Sequence, residues 1–277
     1  MHIEDTQFAK EMIRLCSDGW FMGWHERNAG NLSYVLDEND LRAVQVLLST
    51  RGEGNAWAPL DVEADLLAGR HLMVSGAGRL FRNAAEAPAK TFGIIEISER
   101  GDSYRIVWGL EGGKPTSEFP THVIAHEARL AATDGASRVV YHAHCPNVIA
   151  LSNILEPSSR IWTRTLWRTM TEAVLFFPEG IGVVPWMVPG GREIALASGE
   201  LLQRFPACVW TQHGLFATGE SCDAAFGLAH MIEKTAGIYL QGRAACGGQE
   251  PPFHVSDQQL MRICCESGVE PNREYLS

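Results

Sequence analysis

The sequence contains no long apolar run: across its 277 residues nothing approaches the roughly 18 consecutive apolar positions that a membrane-spanning helix requires. It contains no basic run either. A net charge of −10, from 23 Lys and Arg against 33 Asp and Glu, argues against a surface built to neutralise nucleic-acid phosphates. A small anionic substrate is still admitted, because a few backbone amides can bind one phosphate inside an acidic protein. The seven cysteines (Cys16, Cys145, Cys208, Cys222, Cys246, Cys264 and Cys265) include no CxxC spacing, and an odd number does not suit a disulfide framework. Free thiols in a reducing compartment are expected. On a strand, Cys145 would face away from His144 and its partner, which sets it aside as a ligand or nucleophile. The opening MHIEDTQFAKEMIRL carries acids and a broken apolar pattern, unlike an export signal, so a cytoplasmic address is expected. Repeats, low-complexity stretches and linker-like composition shifts are also missing, and one domain over residues 1–277 is expected.

What is present is a chain with 45% apolar and 20% charged residues, an ordinary globular balance. Residues 5–24 predict an amphipathic helix with Phe8, Met12, Leu15 and Met22 along one side. LSYVL after the loop HERNAGN predicts a strand, whereas residues 38–70 look irregular. HLMVSG predicts a strand entering a glycine-rich turn, and TFGIIEIS and SYRIVWGL predict a hairpin through ERGD. A helix is expected from Pro120, tolerated in a first turn, to the stop at Asp134-Gly135. Strand-like 138–144 follows, then a short helix over 147–155 and two strand-like runs, EAVLFF and IGVVPW. Helix over 193–204, strand at ACVWTQ and a long helix over 223–242 complete the pattern. Interleaved strands and helices predict an α/β domain, and short turns between neighbouring strands predict a mixed, largely antiparallel sheet.

The chemistry-bearing pattern is Arg138-Val-Val-Tyr-His-Ala-His144. On a strand, i,i+2 spacing puts His142 and His144 on one face, ~7 Å apart, where two imidazoles can converge on one ion. His213, at the end of the apolar run ACVWTQ and followed at once by Gly214, supplies a third ligand. Three neutral imidazoles suit zinc and leave a fourth position open for substrate. His122 and His126 form a second pair at i,i+4, but with Glu127 outside the pair the HExxH geometry is absent, and they are assigned to a helix face.

Other segments line up with His-Ala-His and His-Gly. Trp24-His-Glu-Arg-Asn-Ala-Gly-Asn31, Val74-Ser-Gly-Ala-Gly78, Pro115-Thr-Ser-Glu118 and Phe177-Pro-Glu-Gly180 occur in a characteristic order, together with Trp108-Gly-Leu and Val183-Val-Pro-Trp-Met-Val-Pro-Gly190. On these segments the chain resembles the class II aldolase/adducin family over nearly its whole length, most closely the members that act on L-rhamnulose 1-phosphate. The resemblance implies a three-layer α/β/α domain with a central, mostly antiparallel sheet, assembled as a homotetramer with active sites at subunit interfaces. It implies reversible cleavage of L-rhamnulose 1-phosphate to dihydroxyacetone phosphate and L-lactaldehyde, with one zinc ion per subunit on His142, His144 and His213.

Further roles come from the resemblance alone. Glu118 is implied as the acid/base at C3, and Glu172 as an acid entering a neighbouring subunit's site at the aldehyde end. The phosphate is implied to bind Asn28, Gly30, Asn31, Ser75, Gly76, Ala77, Gly78, Thr116 and Ser117. Two positions depart from the family pattern: Ala77 replaces a hydroxyl residue and Ala29 a glycine, so Ser75 or a backbone amide has to supply the missing donor. Alternatives of the same fold are a lyase or epimerase acting on fuculose- or ribulose-type phosphates and a non-catalytic adducin-like module. A water-activating zinc hydrolase is a third, disfavoured by the Cys-Pro-Asn that follows the paired histidines.

Overall fold

The computed structural model describes residues 2–49 and 56–276. Its strands are β1 (Asn31–Val35), β2 (Ala58–Pro59), β3 (His71–Ser75), β4 (Phe92–Ile97) and β5 (Ser103–Gly109), then β6 (Val139–Ala143), β7 (Gly182–Val184), β8 (Ala207–Trp210) and β9 (Gly214–Gly219). The α-helices begin with α1 (Gln7–Phe21), α2 (Glu38–Val44), α3 (Pro88–Thr91), α4 (Phe119–Ala132) and α5 (Pro146–Leu151). They continue with α6 (Ser159–Thr169), α7 (Ala173–Phe176), α8 (Arg192–Leu202), α9 (Cys222–Ala245) and α10 (Asp257–Ser267). All strands join one sheet in the order β2-β5-β4-β3-β1-β6-β9-β8-β7. Only β7 and β8 run parallel, so the sheet is mixed and mostly antiparallel, as expected.

Helices cover both faces of the sheet. Val140, Trp210 and Phe216 pack with Ala125 and Ala128 of α4 and Ile194 and Leu202 of α8. On the other face Tyr141, Ala143, Leu215 and Ala217 pack with α1, α5, α6 and α9 through Met12, Val148, Leu166 and Ile232. This is the three-layer α/β/α arrangement. Because both faces are covered, β6 is buried at every position and reads as a β-branched and aromatic run rather than an alternation. No helix among the described residues is long and apolar enough to cross a membrane.

Several local expectations change. EAVLFF is not a strand: Ala173–Phe176 is the single helical turn α7, packed beside α9 and α10. A short apolar run lacks the length to separate the two periods, and here packing against helices decided the outcome. Within the stretch 38–70, α2 forms because Asp37 accepts from the amides of Asn39 and Asp40 while Asp40 reaches back to the amide of Asp37; residues 50–55 lie outside the described residues. Strand β9 and helices α6 and α10 were not expected. Met22, placed on the buried side of the first helix, is 44% exposed where that helix ends. The fourth helix starts with Pro120 in its first turn and is stopped by Asp134 (φ 49°) and Gly135 (φ 85°), as expected.

Candidate metal centre

Each histidine of the centre is held by a different local device. His142 lies near the end of β6, fully buried, with its ring stacked on Phe216 of the paired strand at a centroid distance of 4.2 Å. Its Nδ1 lies 3.1 Å from the carbonyl of Leu215, which can only accept, so the proton sits on Nδ1 and Nε2 offers its lone pair. His144 stands just past the strand, where its amide donates to the carbonyl of Trp24. Its Nδ1 is 2.6 Å from Glu26 Oε1, a carboxylate partner of the kind that orients and enriches a metal-binding imidazole. His213 occupies the tight turn between β8 and β9, whose ends pair Trp210 with Gly214. That turn needs a left-handed residue, Gln212 (φ 55°), and Ser152 pins it by accepting from the Gln212 amide at 2.8 Å and side chain at 2.6 Å.

One ligand atom from each of His142, His144 and His213 lies within 4.8 Å of the others. The Nε2 atoms of His142 and His213 are 3.3 Å apart. Tetrahedral zinc with Zn–N bonds of ~2.0–2.1 Å places its nitrogens about 3.4 Å apart, the spacing that His142 and His213 already hold, with the third imidazole close enough to complete the set. Burial, aided by the neighbouring imidazoles, holds His142 well below the usual histidine range; burial and His144 push His213 down to about 4. Both rings are therefore neutral near pH 7, the form that ligates.

Glu118 stands at the residue before α4 and is largely buried, with Oε2 3.6 Å from His142 Nε2 and Oε1 3.9 Å from His213 Nε2. Burial pushes its carboxyl up, while a 2.8 Å bond donated by Asn31 Nδ2 opposes that shift. His122 and His126 face inward from α4, fully buried, and both touch Ser33 Oγ; among the described residues they belong to no second metal cluster.

Of the expected phosphate loops, Asn31 and Thr116 bond to Glu118 and Gly30 lies against the His142 carbonyl, but many of the loops' donors are already engaged. The amide of Gly76 bonds Thr91 O and that of Ala77 bonds Lys114 O. Asn31 Nδ2 serves Glu118. Ser75 Oγ accepts from the Leu32 amide and Thr116 Oγ1 from the Glu118 amide, leaving each hydroxyl proton available. Asn28, Gly78 and Ser117 are exposed. Gly30 has φ 79°, and a Cβ there would sit 2.3 Å from His25 Nδ1 and 2.8 Å from His142 O, so the chain passes the metal ligand only as glycine. Glu172 is exposed at the start of α7, and among the described residues no hydrogen bond or ion pair joins it to the histidines.

Two supporting residues were missed from the sequence. Glu26 could have been suspected as an acid within HERNAGN; Glu233 carries no local signal. From α9, Glu233 accepts from the amides of Asn147 and Val148 at 2.9 Å each and from Asn147 Nδ2 at 2.9 Å. It thereby caps the first turn of α5, which begins directly after His144 and Cys145. Glu233→Ala strands two amides, at about 1–3 kcal/mol for each that stays buried. The thermal midpoint should fall by several degrees in a melting experiment, and Glu233→Gln should fall between the two.

Comparison with known proteins places this centre in context. The family profile described as the Class II Aldolase and Adducin N-terminal domain matches residues 10–240. A Rhamnulose-1-phosphate aldolase from Listeria monocytogenes is 38% identical over 99% of this chain and 98% of its own length. One from Escherichia coli is 36% identical over 100% of this chain and 99% of its own. Among solved structures, a sugar-phosphate aldolase from Thermotoga maritima superposes with a TM-score of 0.70 at 29% identity, covering 87% of this chain and 96% of that one. A match across most of the chain, close full-length relatives and a shared fold establish that this protein belongs to the class II aldolase/adducin family.

Proposed function

We propose that this protein is a metal-dependent aldolase that cleaves L-rhamnulose 1-phosphate reversibly into dihydroxyacetone phosphate and L-lactaldehyde, with zinc as the metal. The substrate rests on full-length likeness to relatives carrying that name. The observation that carries the chemistry is Glu118, a buried carboxylate 3.6 Å and 3.9 Å from two imidazoles of a three-histidine cluster. A non-catalytic adducin-like role leaves that arrangement without a purpose.

When bound to His142, His144 and His213, zinc supplies Lewis-acid stabilisation of the negative charge that C3–C4 cleavage leaves on the three-carbon fragment. Glu118 delivers a proton to C3 in the cleavage direction and removes it in condensation. Its burial pushes the carboxyl above the ordinary carboxylate range, the direction that suits a group exchanging a proton. Ser75 and Thr116 donate hydroxyl protons to the phosphate, joined by Asn28, Gly30, Gly78 and Ser117 and by the surroundings of Asn31, Gly76 and Ala77. Glu172 serves the aldehyde end of a neighbouring copy, which fits its exposure and the lack, among the described residues, of any bond to its own histidines, and calls for a homotetramer with shared sites. The reaction occupies one domain over residues 1–277, working in the cytoplasm on a soluble sugar phosphate.

The test is a panel of rhamnulose, fuculose and ribulose phosphates given to zinc-loaded enzyme, with dihydroxyacetone phosphate release followed by a coupled assay. Rhamnulose 1-phosphate should lead by about tenfold or more in kcat/KM, the discrimination that one or two hydrogen bonds provide. A clear preference for either other sugar reassigns the substrate.

A further inference from the structure

Behind Glu118 lies a buried chain of polar side chains that, beyond Asn31, the proposed reaction does not itself use. Asn31 Nδ2 is 2.8 Å from Glu118 Oε2, and Asn31 Oδ1 is 2.5 Å from His122 Nε2. His122 Nδ1 is 2.6 Å from Ser33 Oγ, which is 2.7 Å from His126 Nε2. Ser33, His122 and His126 are wholly inaccessible, and Asn31 is nearly so. Asn31 and Ser33 sit two apart on β1, and His122 and His126 four apart on α4, so one strand face meets one helix face along the whole line.

Once the buried Ser33 hydroxyl proton is required to find an acceptor, hydrogen-bond counting leaves this line two polarities. Burial keeps both histidines neutral, each with a single ring proton. In one polarity His126 Nε2–H donates to Ser33, Ser33 O–H to His122 Nδ1, His122 Nε2–H to Asn31 Oδ1, and Asn31 N–H to Glu118. In the other every donor is reversed, the Asn31 carbonyl faces Glu118, and the last proton rests on His126 Nδ1. That atom is buried with no hydrogen-bond partner among the described residues. A buried orphan N–H is rarer and costlier than a bare lone pair, so the far end of the line favours the first polarity. The near end agrees, because an ionised Glu118 accepts but cannot donate.

We infer that Ser33, His122 and His126 are positioning residues: through a one-way line of donors they fix the Asn31 amide with its N–H toward Glu118, and so fix the orientation of that carboxylate over the histidine cluster. The sequence pattern Asn31-x-Ser33 facing His122-x-x-x-His126 is thus part of the acid/base apparatus rather than chance filling of the core. The inference rests on Glu118 as the group that moves the proton.

Neutron diffraction on the deuterium-exchanged, metal-loaded protein reads the line directly. Deuterium on Nε2 of both histidines, with the Asn31 amide nitrogen toward Glu118, is expected; deuterium on either Nδ1, or the Asn31 oxygen toward Glu118, overturns the inference. Kinetics give an independent arm. Ser33→Ala should lower kcat about 10- to 100-fold, the usual effect of removing a supporting partner, with KM and zinc content close to those of the parent, while the thermal midpoint falls by a few degrees because two buried ring nitrogens lose their partner. Ser33→Cys, which keeps a weak donor, should recover part of the loss. An unchanged kcat, or one that falls only together with zinc content, shows a purely structural line and overturns the inference. Glu118→Gln separates the two ideas: if it stays active the acid/base assignment fails, whatever the proton positions show.

Discussion

His142→Ala is expected to leave a folded protein that neither retains zinc after dialysis nor cleaves sugar phosphate. Two histidines cannot hold the ion as three do, and the deleted ring stands with its centroid 5.3 Å and 5.1 Å from the two imidazoles that remain. Lewis-acid stabilisation of the enediolate is worth several kcal/mol, so turnover should fall about a thousandfold or more. Because His142 is also packed on Phe216, the substitution opens a cavity, and His213→Ala in the partly buried turn is the companion that separates ligand loss from core damage. Metal analysis on both variants, with circular dichroism to confirm the fold, reads the result. A His142→Ala protein that still turns over without zinc removes the metal-aldolase assignment.

The centre was readable in the sequence where it depends on local periodicity. An i,i+2 pair at the end of a β-branched run converges because side chains alternate, and the histidine before Gly214 falls at the adjacent strand end. The convergence is tighter than strand spacing alone allows, with rings of His142 and His144 at 5.3 Å, because His144 has already left the strand. What was unreadable depends on pairing across long separations. Asn31 meets Glu118 across 87 residues, Glu26 meets His144 across 118, and Glu233 meets Asn147 across 86. No window of sequence contains those contacts. Strand β9 was hidden for another reason: it is buried at nearly every position, so GLFATG shows no inside/outside alternation. The turn at Gln212 gives no glycine signal for its positive φ, since two bonds from Ser152 stabilise it instead. The family resemblance supplied what periodicity could not, the pairing of Glu118 with the histidines, and the fold brings those groups together.

Glu118→Gln tests that pairing most sharply. Glutamine has nearly the same shape, and its carbonyl can still accept from Asn31, so the neighbourhood should survive with little strain. The three imidazoles are untouched, so zinc should remain near one per chain, and KM should change little, because the hydroxyls of Ser75 and Thr116 assigned to the phosphate keep their positions. What disappears is a group able to take or give a proton at C3. General acid/base contributions of this kind are worth about 10²- to 10⁴-fold, and kcat should fall within that range. Glu118→Asp keeps the proton-bearing group but withdraws it by one methylene and loosens its bond to Asn31, so it should retain more activity than the glutamine variant while remaining impaired. Steady-state kinetics alongside metal content decide the matter. Near-parent kcat in Glu118→Gln assigns the proton to another residue, whereas loss of zinc in parallel with activity makes Glu118 a fourth ligand rather than a proton carrier.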